Sequence, residues 1–213
     1  VARKLTIMII ALMILLPLTF SCAAPELEPT TTDEPPIPAH YSTYTSEGLY
    51  SISYPPDWVP ATSLIEEVSE WVEEWLQSED LEAEILEGAN ILFVGGKPIE
   101  EGYMPNVTVV VAPRSIGYWT LGEIVDSESQ WYMVNLQDYR EYSRTETIVD
   151  GRESIIVESG WDEPSFGGDL RYLSLYTVKD EFAWVVTCTC YSENFQEYKD
   201  DLNSVVRSLR ILK

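Results

Sequence analysis

An α+β domain, with a mainly antiparallel β-sheet flanked by helices, is the fold class this sequence predicts. Three observations predict it. Short β-type runs outnumber helical ones, in the order strand, strand, helix, strand, strand, helix, four strands, helix. Tight reversals join neighbouring runs, which makes their pairing antiparallel. Two Ser/Thr-x-x-Glu capping boxes mark helix starts, and a helix with one apolar face must cover a sheet.

Residues 41–45 and 49–54 are two β-type runs around Ser46-Glu47-Gly48, a link whose glycine suits a hairpin. Tyr50, Ile52 and Tyr54 face one way, Ser51 and Ser53 the other, and Pro55-Pro56 stops the run. Residues 62–77 carry the strongest helix signal. Ser63 and Glu66 form a capping box, and Leu64, Val68, Trp71 and Trp75 make one apolar stripe. Residues 89–94 read as a buried strand ended by Gly95-Gly96-Lys97-Pro98, and 107–112 as another. Thr120 and Glu123 cap a helix over 121–136, with Leu121, Ile124, Val125, Tyr132 and Leu136 on one face. Residues 141–149 and 152–159 flank Asp150-Gly151, the strongest hairpin turn in the chain. Residues 170–178 and 181–191 flank Lys179-Asp180, another tight reversal. Ser192 caps a last helix, with Phe195, Tyr198, Leu202, Val206 and Leu209 at helical spacing.

The chain divides into three parts. Arg3 and Lys4 are the only charges before residue 26, and an apolar run over 5–20 leads to Ser21-Cys22-Ala23-Ala24. A basic start, an apolar middle and a small-residue end describe an export signal over residues 1–22. Sixteen residues, interrupted by Thr6, Pro17 and Thr19, are short for a membrane span, which needs about 20. Cys22 at the end of this signal resembles the bacterial lipoprotein cleavage site, where the cysteine is acylated and becomes the new N-terminus. The resemblance implies lipidation of Cys22 and attachment to the cell envelope on the extracytoplasmic face. Ordinary cleavage after Ala24 and an uncleaved anchor are the alternatives. Residues 23–39 are a tether rich in proline, threonine and acid, with too few apolar groups to fold. Residues 40–213 form a single globular domain, interrupted by an acidic helical insertion at about 62–88.

Charge bounds the partners. The 213 residues hold 36 acids and 13 bases, a net −23. Removing the signal deletes two bases and no acids, leaving a net −25. Nucleic acid is excluded, since phosphate binding needs a basic stripe, and the folded surface is repelled by anionic headgroups. Residues 62–101 hold twelve acids against one base, Lys97. Glu66–Glu70 and Glu70–Glu74 are like-charge pairs one turn apart, each costing ~0.2–0.5 kcal/mol. Burying Trp71 and Trp75 returns several-fold more, ~1.5–3 kcal/mol for each large apolar side chain, so packing decides. The glutamates, including Glu66, Glu70 and Glu73, are then either a solvated face or a recognition surface for a basic protein. Ca²⁺ is conceivable but unsupported, because no D-x-D-x-D-G spacing occurs.

Catalytic chemistry finds no footing. His40 is the sole histidine and lies where tether meets domain. There is no G-x-S-x-G, H-E-x-x-H or Cys–His pair, and Gly95-Gly96-Lys97-Pro98 lacks the spacing and hydroxyl of a phosphate loop. No catalytic residue, metal ligand or cofactor is expected. Cys188 and Cys190, two apart on a strand, share a face with Trp184 and Val186. Buried thiols, a strained disulfide and a thiolate metal site all remain open for them. Residues 160–168 read as a loop carrying Trp161, Asp162, Glu163 and Phe166 among three glycines. Exposed loop aromatics favour binding; the alternative is a Trp161 folded back on the sheet.

Gly48-Leu49-Tyr50-Ser51-Ile52-Ser53-Tyr54-Pro55-Pro56-Asp57-Trp58 resembles the opening of the PsbP/Mog-type superfamily, in which a glycine and an aromatic strand precede Y-P-x-x-W. The far end is similar as well: a long strand to Tyr191, a helix with Phe195 and Tyr198, and a closing Ser208-Leu209-Arg210-Ile211. The resemblance spans about residues 45–212. It implies an α/β/α sandwich whose members bind other macromolecules rather than share a reaction. Two functions follow as expectations. One is a non-enzymatic, membrane-anchored lipoprotein that docks on another envelope protein through the 160–168 loop and the 66–74 helix face. The other is a lipoprotein that captures or senses a small ligand or cation.

Overall fold

The computed structural model describes residues 36–46, 48–61, 65, 90–99, 102–113, 120–163 and 168–212. Residues 1–22 with Cys22, most of 23–39, nearly all of 62–88 with Glu66, Glu70 and Glu73, and Phe166 lie outside the described residues.

Strands β1 (Ser42–Ser46) and β2 (Tyr50–Tyr54) pair antiparallel, and β10 (Arg210–Ile211) adds to the other side of β2. Gly48 takes φ 72° in the reversal between the first two. Tyr50, Ile52 and Tyr54 point inward, as their alternation predicts. The main sheet has seven strands in the order β3-β4-β5-β9-β8-β7-β6, every neighbour antiparallel. They are β3 (Val59–Pro60), β4 (Asn90–Ile99), β5 (Gly102–Pro113), β6 (Arg140–Val149), β7 (Arg152–Glu163), β8 (Gly168–Lys179) and β9 (Phe182–Tyr191).

Cross-strand registry sorts the side chains onto two faces. Val107, Val109, Cys188, Val186, Leu173, Leu175 and Ile156 share one face. There they meet helix α2 (Phe195–Arg207), through Phe195, Leu202, Val205 and Val206, and the small sheet, through Tyr50, Ile52 and Ile211. Val110, Val185, Tyr176, Ile155 and Val157 share the opposite face, which helix α1 (Leu121–Asn135) covers through Val125 and Tyr132. The result is an α+β layered sandwich. Cys188 and Cys190 lie on the α2 side as buried free thiols. Burial pushes the Cys190 thiol up to about 12, so neither is poised as a thiolate.

Local signals hold where the physics is local. Thr120 caps α1 reciprocally with Glu123, as the S/T-x-x-E spacing predicts. Asp150 and Gly151 take φ 54° and 71°, the left-handed pair that a two-residue hairpin requires. Three local expectations are corrected. The last reversal is Asp180-Glu181 rather than Lys179-Asp180, because Lys179 pairs with Phe182 and Asp180 takes φ 54°. Asp tolerates that region far better than Lys. Ser192 does not cap the last helix; it opens a 3₁₀ turn, Ser192–Asn194, and α2 starts at Phe195 without a side-chain cap. Gly95-Gly96-Lys97-Pro98 does not end a strand, since β4 runs through it to Ile99. A Cβ on Gly96 would lie 2.6 Å from the Pro105 carbonyl oxygen, so the glycine permits close strand approach rather than a turn.

The Pro55-Pro56-Asp57-Trp58 segment has a clear structural task. Trp58 is buried, and Asp57 pairs with Lys97 at 3.2 Å. That contact raises the Lys97 pKa, and the ammonium also lies 5.7 Å from the Tyr198 ring centroid of α2. Lys97 thus joins β4 to its neighbours.

Candidate binding surface

The β7–β8 hairpin holds the described part of the 160–168 segment. β7 continues to Glu163 and β8 begins at Gly168, so Trp161, Asp162 and Glu163 are strand residues. Trp161 pairs with Leu170 and is 4% exposed. Its indole stacks on Tyr172 with centroids 3.7 Å apart and planes 6° from parallel, and Tyr132 of α1 closes over the other side at 6.1 Å. Of the two readings of Trp161, folded back on the sheet or exposed in a loop, the structure has the first. Trp161 is packing beneath α1 and leaves the surface available to a partner. The cause is long-range: the glycine before it lets β8 approach, since a Cβ on Gly160 would sit 2.5 Å from the Leu170 carbonyl oxygen.

Asp162 is half-buried and lies directly across from exposed Asp169. Like charges in opposed positions are unfavourable, so this pair is not explained by sheet stability. Gly160 and Arg171 occupy the next pair along, on the same face. Arg171 donates to Glu158 at 3.0 Å, and Lys199 of α2 reaches the other oxygen of that carboxylate at 3.3 Å. The Arg171 guanidinium lies 3.5 Å from the Tyr142 ring centroid and 5.0 Å from that of Phe195. Tyr142 itself is 46% exposed.

Tyr142 reaches this place through an irregularity in β6. The register shifts between Glu141 and Ser143, leaving Tyr142 without a directly opposed partner. The bulge turns its ring onto the sheet over Gly160, where a Cβ would lie 3.3 Å from the ring edge. The described site is thus an exposed tyrosine clamped on a buttressed arginine, beside two opposed aspartates. Sequence reading missed Tyr142, Arg171 and Lys199. The one signal for them was Gly160 within a strand, which marks a bulge or a close backbone approach. This surface presents a half-exposed aromatic packed on an arginine whose charge Glu158 holds. Among the described residues no group of His, Cys, Asp and Glu is arranged to hold a metal ion. No described helix is long and apolar enough to cross a membrane.

Layer order, sheet topology and element content define an α+β, PsbP-like sandwich. No family model matches the chain, and no curated protein sequence matches it. Solved structures do. The solution structure of cyanobacterial PsbP (CyanoP) from Synechocystis sp. PCC 6803 is similar at TM-score 0.52 and 12% identity, over 90% of this chain and 98% of that one. LpqN of Mycobacterium tuberculosis, involved in cell envelope biogenesis, aligns at TM-score 0.48 and 9% identity, over 87% of this chain and 90% of that one. PA94 of Pseudomonas aeruginosa, a protein of unknown function, aligns at TM-score 0.43 and 13% identity, over 76% of this chain and 90% of that one. At these identities the likeness to the cyanobacterial protein is one of fold.

Proposed function

We propose that this chain is a lipid-anchored, extracytoplasmic accessory protein that binds another envelope protein and performs no reaction. Cys22 is the acylation site in this reading, and residues 23–39 are the leash. The observation that carries the binding role is the Tyr142–Arg171 clamp beside Asp162 and Asp169. A half-exposed aromatic locked onto a charged network gives contact area at little entropic cost. The PsbP-like fold supports the reading, because the superfamily that the sequence resembles is one of binding domains. Asp162 and Glu163 stay in the proposed contact, and Phe166, Glu66, Glu70 and Glu73 are kept in it on the sequence reading alone. A partner that fits this contact presents a basic, partly apolar surface.

The test uses the full chain in its native membrane. A photo-crosslinking amino acid at position 142 should give one discrete adduct, whereas the same group at Met133, on α1, should give none. A Glu66/Glu70/Glu73→Gln variant should weaken the adduct. Identical adducts from both positions, or none from position 142, would end the binding proposal. The anchor is tested separately. Mass spectrometry should find an acylated Cys22 at the mature N-terminus, and Cys22→Ser should release the protein from membranes. A mature chain beginning with an unmodified residue 25 refutes lipidation while leaving the contact surface untouched.

A further inference from the structure

Helix α1 carries a carboxyl group into the apolar layer it covers. Glu128 is 4% exposed and lies on the buried face of the helix with Ile124, Val125, Ser129 and Tyr132. The Tyr132 hydroxyl, one turn along, donates to Glu128 Oε1. The Tyr176 hydroxyl, on strand β8, lies near the same carboxyl and acts on it electrostatically. One buried group therefore joins the helix to the sheet.

Every other described element packed against it withholds a counter-charge. β7 presents Ile155 and Val157, and β9 presents Val185 and Thr187, to this face. Tyr139, after the helix, packs on Tyr132 with centroids 5.3 Å apart. On β6, Arg144 is engaged by Glu141 and by Asp126 on the outer side of α1, and Glu141 also accepts from Ser129. Glu123 is spent on the helix cap. Among the described residues no Lys or Arg pairs with Glu128. A carboxylate there would lose its hydration with only two hydroxyls in return, so the folded state favours the neutral acid.

We propose that α1 is a helix released by rising pH, with Glu128 as the titrating group and the Tyr132–Trp161–Tyr172 stack as the surface it uncovers. Burial holds the carboxyl up to about 8, the tyrosine hydroxyls offsetting part of that shift. Once α1 lifts, the carboxyl regains its ordinary value of 4.5. The open state then gains about tenfold in population for each pH unit between those two values, and levels off above them. Trp161 follows α1, because Tyr132 is its cover on that side.

Hydrogen exchange on the full chain, corrected for intrinsic exchange rates, tests this. From about pH 5.5 to about pH 7.5 the protection of amides 121–136 should fall about a hundredfold, while that of 195–207 in α2 stays level. Glu128→Gln should hold 121–136 level too. Tyr176→Phe removes a hydroxyl that favours the ionised form, so it should move the levelling-off to higher pH. Level protection of 121–136 in the wild type overturns the proposal, as does an equal fall in Glu128→Gln. Should Glu128→Gln not fold, an unmoved or lowered transition in Tyr176→Phe overturns it.

Discussion

Replacing Trp161 by alanine separates a packing residue from a binding residue. The side chain is 4% exposed and stacked at 3.7 Å on Tyr172, so its removal leaves a cavity between α1 and the sheet. Deleting a buried tryptophan costs ~3–5 kcal/mol, and the stacked geometry places this site in the upper half of that range. The indole Nε1 is buried without a hydrogen-bond partner. Trp161→Phe therefore removes an unsatisfied donor, returning ~1–3 kcal/mol against the volume it loses. The expected result is a large loss for alanine and about 1 kcal/mol or less for phenylalanine. Urea unfolding followed by far-UV circular dichroism reads both, with midpoints shifted and slopes unchanged. For a domain of this size the alanine variant should lose roughly 8–20 °C in Tm, at ~2–4 °C per kcal/mol. A loss below ~1 kcal/mol for alanine would refute the packing assignment. So would a phenylalanine variant as unstable as alanine, because the empty Nε1 site would then be making a favourable contact.

Three further outcomes follow from the geometry. Gly160→Ala should cost ~1–3 kcal/mol in chemical denaturation, since its Cβ meets the Leu170 carbonyl oxygen at 2.5 Å and backbone must shift; a neutral effect would show that β7 and β8 can separate there freely. Thr120→Ala should cost ~1 kcal/mol through loss of the α1 capping box, with Thr120→Ser close to wild type in the same unfolding assay. Global stability should fall as pH rises from 4.5 to about 8, because the native state holds the Glu128 proton longer than the unfolded chain does. The fall is at most about 5 kcal/mol, at 1.36 kcal/mol per pKa unit, and Glu128→Gln should flatten it in pH-resolved urea titrations.

The architecture was legible where a few adjacent residues decide it. The apolar run of 107–112, the shared face of Trp184, Val186, Cys188 and Cys190, the Asp150-Gly151 reversal and the Thr120–Glu123 box are all short-range, and the pairing of β6 with β7 follows from its hairpin, whereas the β5–β9 pairing does not. The errors share one cause, a residue type whose reason lies far along the chain. Gly96 reads as a turn until Pro105 and Asn106 are laid against it. Gly160-Trp161 reads as a loop until Leu170 pairs with Trp161 and Tyr172 stacks on it. Glu128 carries no local signal of its burial, because the helix meets β7 and β8 only through the tertiary fold. Tyr142 depends on a bulge, and nothing in Arg-Glu-Tyr-Ser-Arg specifies one. Patterning reports which face is apolar, whereas these contacts depend on which backbone comes close to which.

The chain enters the domain through β1, an edge strand bonded to β2 alone over five residue pairs. Just before it, the Tyr41 hydroxyl donates to Asp201 of α2 at 2.6 Å, a rivet at the point of entry. A pull on the N-terminal segment therefore loads that rivet first and then the β1 rungs in turn, starting from Ser42. The seven-stranded sheet lies off the line of force. Tension on the segment before Tyr41 would be relieved by peeling a short strand, with the Tyr142–Arg171 surface still folded.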